Sequence, residues 1–418
     1  MQRTISIALS CFIFLLAGAI TVMAQTYDIL IKGGHVIDPR NEINQVMDVA
    51  ISGDQIARVA TNIPADQAET VIDASGLYVT PGLIDIHAHV FYGTEDNSYL
   101  SNGFSAVPPD GFTLRVGVTT VVDAGGAGWR SFPQFKSQVI DRSRTRVLSL
   151  LNIVGHGMKG GPVEQDLNDM DPKLTAMRVQ QFRDYIVGIK TAHYRGPEWD
   201  PVDRAVQAGE LADVPVMVDF GTFRPERPFQ ELVLKHLRPG DIYTHTYLNR
   251  VPMIDESGKV YAYLFEAQKR GIIFDVGHGS GSFWYRQAVP ATEQGFWPNS
   301  ISTDLHTSSM VGGMKDMINV MSKFLNLGMP LEEVILKSTW NPARFIKRTD
   351  LGHLSEGAVA DVAVLSLHTG NFGFLDVRLG KRPGDRKLEC ELTIRGGRVV
   401  WDLNGISRPL WQDMQIDP

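Results

Sequence analysis

The segment PGLIDIHAH, residues 81–89, is an apolar run that ends in two histidines separated by a single residue. A short apolar run of this kind is typical of a buried β-strand. Side chains two positions apart in a strand point to the same side, so His87 and His89 can reach one ion. Imidazole nitrogen is a common ligand for zinc and related metals. The segment therefore predicts a buried strand with metal ligands, although histidines that order a core or a loop would give the same pattern.

The central part of the chain alternates apolar runs with helical stretches. Eight runs are predicted to be strands, at residues 83–87, 119–123, 147–154, 185–190, 216–219, 242–245, 272–276 and 301–304. Predicted helices between them include residues 201–212, 229–236, 259–270 and 315–327. Repeated strand–helix units indicate an α/β fold with a parallel sheet, and eight of them match a (β/α)8 TIM-like barrel. Such a barrel carries its active site at the carboxyl ends of its strands.

Both ends of the chain show short strands separated by turns. Near the N-terminus these segments are YDILIKGGHVID from Tyr27 and DVAISGDQIARVA from Asp48. Near the C-terminus, the same pattern occurs in ADVAVLSL from Ala360 and LTIRGGRVVWD from Leu392. Because chain ends often lie close together, we expect a small β-sandwich domain built from both terminal segments. The predicted organisation is a signal peptide (1–24), a first part of the β-sandwich (25–80), the barrel (81–352), and a second part of the β-sandwich with a C-terminal tail (353–418).

The first 24 residues have the pattern of a secretory signal peptide. Arg3 supplies the positive end, an apolar stretch follows, and Val22-Met23-Ala24 forms a cleavage site of small residues. An uncleaved membrane anchor is the alternative, because the segment nearly spans a bilayer. The cleavage pattern favours removal, so the protein is expected to be secreted or periplasmic, with no stable membrane insertion after cleavage.

Charge and cysteine content restrict the partners and the metal ligands. The formal net charge is -7 and no basic cluster occurs, which argues against nucleic acid as a partner. A small-molecule substrate is expected, and a homo-oligomer is left open. Cys11 and Cys390 are the only cysteines, and signal cleavage would leave only Cys390. Any metal must then bind to His, Asp, Glu or a modified Lys.

Ionisable residues recur where the predicted strands end. They are His87, His89, Lys190, Asp219, His245 and Asp304. Ionisable groups at the ends of apolar strands are costly unless they are satisfied, so their clustering needs a cause. A metal centre supplies that cause, whereas helix capping or pairing at the barrel rim would explain each residue only by itself.

Several motifs resemble those of the amidohydrolase superfamily. PGLIDIHAH is similar to the first-strand signature of that family, and IVGIK, which ends at Lys190, is similar to its fourth strand. GDIYTHTY around His245 resembles the sixth strand, and STDLH around Asp304 the eighth. Four further segments resemble, more narrowly, the deacetylase-like branch of this family, which is related to dihydroorotases. They are VGVTTVVDAGGAG from Val116, GIIFDVGHG from Gly271, WNPAR from Trp340 and LGHLSEGAVADVAVL from Leu351.

The resemblance implies a metal-dependent amidohydrolase or deacetylase that removes an acyl group, most simply acetyl, from an amide or ester of a small molecule. It implies a metal-activated water as the nucleophile and Asp304 as the catalytic residue that moves its proton. It also implies a CO2-derived carbamate on Lys190, because a protonated lysine has no lone pair for a metal. The implied metal ligands are His87, His89, Lys190, Asp219, His245 and Asp304. They would hold one or two divalent ions, with zinc expected and manganese or iron as alternatives.

One position departs from the family pattern. The fifth strand usually carries histidine, whereas this chain has Asp219. A carboxylate can still bind zinc, and its negative charge would favour manganese or iron. Alternatively, Asp219 does not reach the metal and the site holds one ion. His193 is a candidate substitute ligand or, more simply, a residue of the pocket wall.

The sequence also offers candidate substrate contacts and alternative functions. His278, His193 and His306 are candidate substrate-binding residues. The alternative function is a cyclic amidase of the dihydroorotase or hydantoinase kind, although Phe91 stands where dihydroorotases usually carry arginine. A deaminase with a single metal and no carbamate is a further alternative. A catalytically silent barrel that acts as a binding protein is the hypothesis from another class.

Overall fold

A computed structural model of the chain describes residues 27–92, 105–220 and 223–414. The predicted signal peptide, residues 1–24, lies outside these described residues and stays a prediction. Among the described helices, none is long and apolar enough to cross a membrane.

Fifteen strands lie in the described part of the chain and form two sheets. The first five are β1 (Tyr27–Asp38), β2 (Ile43–Ser52), β3 (Gln55–Ala60), β4 (Ala68–Asp73) and β5 (Tyr78–Pro81). The next seven are β6 (Leu83–Ala88), β7 (Val118–Gly128), β8 (Arg146–Asn152), β9 (Ile186–Thr191), β10 (Val216–Val218), β11 (Ile242–Tyr243) and β12 (Ile273–Phe274). The last three are β13 (Val362–Leu375), β14 (Lys381–Arg395) and β15 (Arg398–Asp402).

The terminal segments together form one mixed sheet. Its strand order is β15-β14-β13-β5-β1-β2-β3, and β4 pairs with β1. Strand β5 runs antiparallel to β13, with Val79 opposite Val364, and this pairing joins the two ends of the chain. A Cβ at Gly34, where the register of β1 shifts, would come within 2.4 Å of Val79 Cγ2, so this close approach requires glycine. Buried apolar side chains from both terminal segments pack in one cluster.

Strands β6 to β12 form a parallel sheet in sequence order. The segment 300–305 closes this sheet into a barrel through two single parallel bridges, Asp275 with Ser300 and Ala88 with Leu305. The predicted α/β fold class, a (β/α)8 TIM-like barrel with a small β-sandwich domain built from both terminal segments, is confirmed, and the terminal domain is the mixed sheet described above.

The eighth predicted strand differs from the prediction, because residues 301–304 form no ladder and the two single bridges lie beside them, at Ser300 and Leu305. Asp304 has a φ of 50°, in the left-handed region that interrupts extended backbone. His245 has a φ of 65°, and β11 accordingly ends at Tyr243 instead of 245. Two of the ionisable residues singled out in the sequence therefore stand where the extended backbone breaks.

Eleven α-helices occur in the described residues. They are α1 (Asp110–Thr113), α2 (Phe132–Gln138), α3 (Pro172–Gln181), α4 (Asp200–Ala212), α5 (Phe229–Glu231), α6 (Ala262–Arg270), α7 (Tyr285–Glu293), α8 (Thr307–Val311), α9 (Met317–Asn326), α10 (Leu331–Leu336) and α11 (Trp340–Phe345). The predicted helices 201–212 and 315–327 correspond to α4 and α9. The predicted helix 229–236 is α5 followed by a π-helical turn, Leu232–His236. The predicted helix 259–270 starts later, as α6.

One end of the barrel is filled by apolar side chains. All seven strands of the parallel sheet contribute buried residues to one cluster, among them Ile84, Val122 and Met217. Ala343 of α11 and Ile346, the residue after this helix, pack in the same cluster. This packing leaves the carboxyl ends of the strands, where the ionisable residues stand, to form a cavity.

Candidate active site

His87 and His89 meet Asp304 at the carboxyl ends of the strands. His89 Nε2 lies 3.0 Å from Asp304 Oδ1, and His87 Nε2 lies 3.6 Å from the same oxygen. All three residues are buried. Burial opposes ionisation of the carboxyl, but the surrounding imidazoles hold the pKa of Asp304 well below its usual value. Asp304 is therefore a carboxylate that faces two imidazole nitrogens.

The hydrogen bonds of His87 decide which of its nitrogens faces the cavity. Thr244 Oγ1 donates to Asp275 Oδ2 at 2.8 Å, so this hydroxyl can only accept from His87 Nδ1, also 2.8 Å away. Ser300 and Ser302 donate to the same buried carboxylate at 2.6 Å. Burial lowers the pKa of His87 to about 3, so its Nε2 carries a free lone pair. This is the orientation that a metal-binding histidine needs.

His245 is oriented in a similar way. Its Nδ1 lies 2.7 Å from the carbonyl oxygen of Gly277, which can only accept a hydrogen bond, so Nδ1 carries the proton. Its Nε2 lies 3.4 Å from Asp219 Oδ2. Ligand atoms of His87, His245 and Asp304 all lie within 4.8 Å of one another. This donor set of two imidazoles and a carboxylate fits a divalent metal such as zinc.

Lys190 lies at the base of this group and is 1% exposed. Its Nζ contacts His87 Nε2 at 3.4 Å and Met217 Sδ at 3.6 Å, and forms no ion pair with the described residues. Burial lowers the pKa of its amine. A Cβ at Gly125 would come within 2.7 Å of Lys190 Cγ, which explains a glycine at this point of the VDAGGAG motif. Among the described residues, no carboxylate forms a direct ion pair with the lysine, and the nearby aspartates act on it only at longer range.

Asp219 and His193 meet on another side of the cavity. His193 Nε2 lies 3.2 Å from Asp219 Oδ2, and His193 Nδ1 lies 2.8 Å from Glu164 Oε2. Burial alone would lower the pKa of His193, but hydrogen bonds to Asp219 and Glu164 raise it to about 10. Burial opposes ionisation of Asp219, yet the charges of His245 and His193 and their hydrogen bonds hold its pKa well below the usual value.

The candidate substrate-binding histidines have different positions. His306 lines the cavity, with Nδ1 3.4 Å from Asp304 Oδ1 and Nε2 3.1 Å from Ser280 Oγ. His278 is not among the residues that line the cavity. Its ring is fully buried and stacks on Phe283, and its Nε2 lies 2.7 Å from Lys323 Nζ. The turn after β12 thus directs this side chain into the core.

The cavity has a volume of about 410 Å³. The six predicted ligands all line it. The remaining lining residues are Met158, His193, Leu248, Arg250, Ser280, Gly281, Ser282 and His306. Arg250 is exposed and, among the described residues, forms no hydrogen bond or ion pair. The cavity therefore combines a buried cluster of donors with a cationic side chain on its wall.

The sequence prediction missed three residues that orient this site. Asp275 stands on a predicted strand and could have been found as a further strand-end carboxylate. Thr244 adjoins His245 in the quoted motif, but a threonine there carries no recognisable signal. Glu164 lies in the 3-10 helix Gly161–Gln165, and no local pattern relates it to His193.

A glycine substitution tests how tightly Asp304 is packed. A Cβ at Gly279 would come within 2.2 Å of Asp304 Oδ2, and Gly279 has a φ of 53°. We expect Gly279→Ala to lower the free energy of unfolding by about 1–3 kcal/mol, through strain and displacement of the carboxylate. Denaturant unfolding measures this loss. The control is Gly111→Ala, where a Cβ meets nothing within 4 Å. Equal stability of the two variants would contradict the described packing.

Comparisons with known proteins show the family of the chain. A family model described as the amidohydrolase family matches residues 288–400. A deacetylase of Agrobacterium fabrum is 33% identical over 329 residues, which cover 77% of this chain and 78% of that protein. The crystal structure of an adenine deaminase is similar, with a TM-score of 0.81 and 29% identity over 90% of this chain and 100% of that one. The crystal structure of a dihydroorotase has a TM-score of 0.75 and 29% identity, and the match covers 90% of this chain and 99% of that one. The chain therefore belongs to the amidohydrolase superfamily, as a deacetylase-like hydrolase.

Proposed function

We propose that the protein is a metal-dependent deacetylase, which hydrolyses an acyl amide or ester, most simply an acetyl one, of a small molecule. The observation that carries this proposal is the placement of the ionised Asp304 against His87 and His89, beside the buried Lys190, in one cavity. The similarity to a deacetylase supports the acyl substrate.

The side chains of the cavity suit a divalent metal. His87, His89 and Asp304 would hold one ion, and His245 with Asp219 a second. A carbamate formed from the Lys190 amine and CO2, with release of a proton, would give this buried side chain a carboxylate for either ion. Zinc matches the imidazole donors, and the two aspartates also suit manganese or iron. When bound, such an ion polarises the acyl carbonyl and lowers the pKa of water.

The residues of the chain supply orientation and proton transfer. Thr244 fixes the His87 ring, and the Gly277 carbonyl fixes the His245 ring, so that both Nε2 atoms face the cavity. The ionised Asp304 accepts a proton from the attacking water and returns it to the leaving amine or alcohol. Arg250 on the wall offers donors that match a carboxylate on the substrate.

A substrate screen tests the proposal. We expect turnover of at least one N-acetyl or O-acetyl derivative among amino acids and hydroxy acids, each tested as both enantiomers with zinc and with manganese. Chelation should abolish this turnover, and added metal should restore it. Metal should also stabilise the fold, by about 2.7 kcal/mol at a concentration of one hundred times Kd. Turnover that survives complete metal removal would contradict the proposal.

The same screen separates the alternative functions. A cyclic amidase would open dihydroorotate or hydantoins, and the similarity to an adenine deaminase makes adenine a necessary test compound. The structure disfavours a dihydroorotase-like contact at position 91. Phe91 is fully buried, and its ring centroid lies 4.7 Å from that of Phe135. This side chain packs in the core and offers nothing to a substrate carboxylate.

A further inference from the structure

Asp219 Oδ2 lies close to the Nε2 atoms of two histidines at one side of the cavity. Asp219 Oδ2 lies 3.2 Å from His193 Nε2 and 3.4 Å from His245 Nε2. All three residues line the cavity. Ligand atoms about 2.0–2.1 Å from one tetrahedral zinc are about 3.3 Å apart. Both measured separations match that value.

His193 is held in this orientation by a buried carboxylate. Its Nδ1 lies 2.8 Å from Oε2 of Glu164, which is 2% exposed. The other oxygen of this carboxylate accepts a hydrogen bond from the backbone N–H of Gly160 at 2.9 Å. A carboxylate that accepts from one ring nitrogen, while the other nitrogen faces a metal position, is the usual support for a metal-binding histidine.

The backbone around His193 is fixed as well. The side-chain amide of Gln165 donates to the His193 carbonyl at 3.0 Å and accepts from the N–H of Arg195 at 2.8 Å. His193 itself has a φ of 59°. A histidine in the left-handed region is strained, and this conformation persists only where the surroundings impose it. The loop that contains Glu164 and Gln165 thus imposes a strained conformation that directs Nε2 towards Asp219.

We propose that His193 is a metal ligand, which releases its Nε2 proton to solvent on metal binding and joins Asp219 and His245 around the second ion, and that Glu164 is its positioning residue. The fifth barrel strand, β10, lacks the usual histidine. His193, in the loop after β9, would supply an imidazole in its place. The inference rests on the metal-dependent function proposed above and extends it to a specific ligand set.

The test is the metal content of the intact protein after reconstitution with zinc and dialysis. We expect two ions per chain in the wild type and one in His193→Ala, measured by elemental mass spectrometry. In Glu164→Gln we expect the Kd of the weaker ion to rise by about 10- to 100-fold, measured by competition with a chromophoric chelator. The control, His368→Ala, removes a histidine of the terminal sheet and should retain both ions.

A compensating variant separates a ligand from a structural contact. In Asp219→His combined with His193→Ala, an imidazole returns to the strand itself, and we expect the second ion to return. His193→Ala with two ions and an unchanged Kd would overturn the inference. Loss of the second ion without recovery in the double variant, although circular dichroism shows a native fold, would also overturn it. A wild type that binds no metal would instead overturn the proposed function.

Discussion

Asp304→Asn is expected to lower the turnover of every acyl substrate of the enzyme by about 10²- to 10⁴-fold, the contribution of positioned proton transfer. The substitution keeps the shape of a side chain whose Oδ1 lies 3.0 Å from His89 Nε2 and 3.6 Å from His87 Nε2. It removes the charge that makes this group a base. The measurement is kcat at saturating metal, with the metal content determined on the same sample so that lost occupancy is recognised.

The matched control is Asp385→Asn. The Asp385 side chain is 80% exposed, outside the cavity, so its substitution should leave kcat unchanged. If Asp304→Asn retained wild-type turnover at full metal occupancy, the assignment of the proton transfer to Asp304 would be wrong.

Lys190→Met is expected to raise the Kd of the metal by more than about 100-fold. Removing a residue that only supports a ligand would raise the Kd less than this. Methionine fills the buried volume of the lysine but cannot form a carbamate. Metal titration of the apoprotein measures the change, and hydrolysis should fall with it. In the wild type, loading with ¹³C-labelled bicarbonate should give a carbamate carbon signal by NMR, which this variant should lack.

The chain offers a matched control for a buried lysine. Lys323 is 1% exposed like Lys190, but its Nζ contacts His278 Nε2 and the Gly313 carbonyl instead of the cavity. Lys323→Met should lower stability and leave the metal content and the carbamate signal intact. Full metal binding by Lys190→Met would refute the proposed role of this lysine.

Much of the barrel could be predicted from local sequence. A run such as IVGIK is apolar because its strand is buried on both faces, and β9 lies within one residue of the predicted bounds. The eighth segment escaped this approach. Its bridges lie at Ser300 and Leu305, and an apolar pattern does not report whether the residues between them pair with a neighbouring strand.

The site residues that could be predicted are those that stand at the ends of predicted strands. The structure brings the six predicted ligands into one cavity, because the carboxyl ends of parallel strands in a closed barrel face one opening. His278 shows the limit of this argument. It follows a strand like the others, but the turn after β12 directs it towards Phe283 and Lys323.

Local sequence was enough to predict the barrel, the terminal β segments and the strand end that carries His87 and His89. Apolar periodicity and strand-end position are local properties, so they can be read without knowing which segments meet. The partners that orient the donor atoms depend instead on how distant segments fold together. Thr244 reaches His87 across 157 residues, and Glu164 reaches His193 across 29. Closure of the barrel creates these contacts, because it joins strand ends and loops whose own sequences do not specify one another.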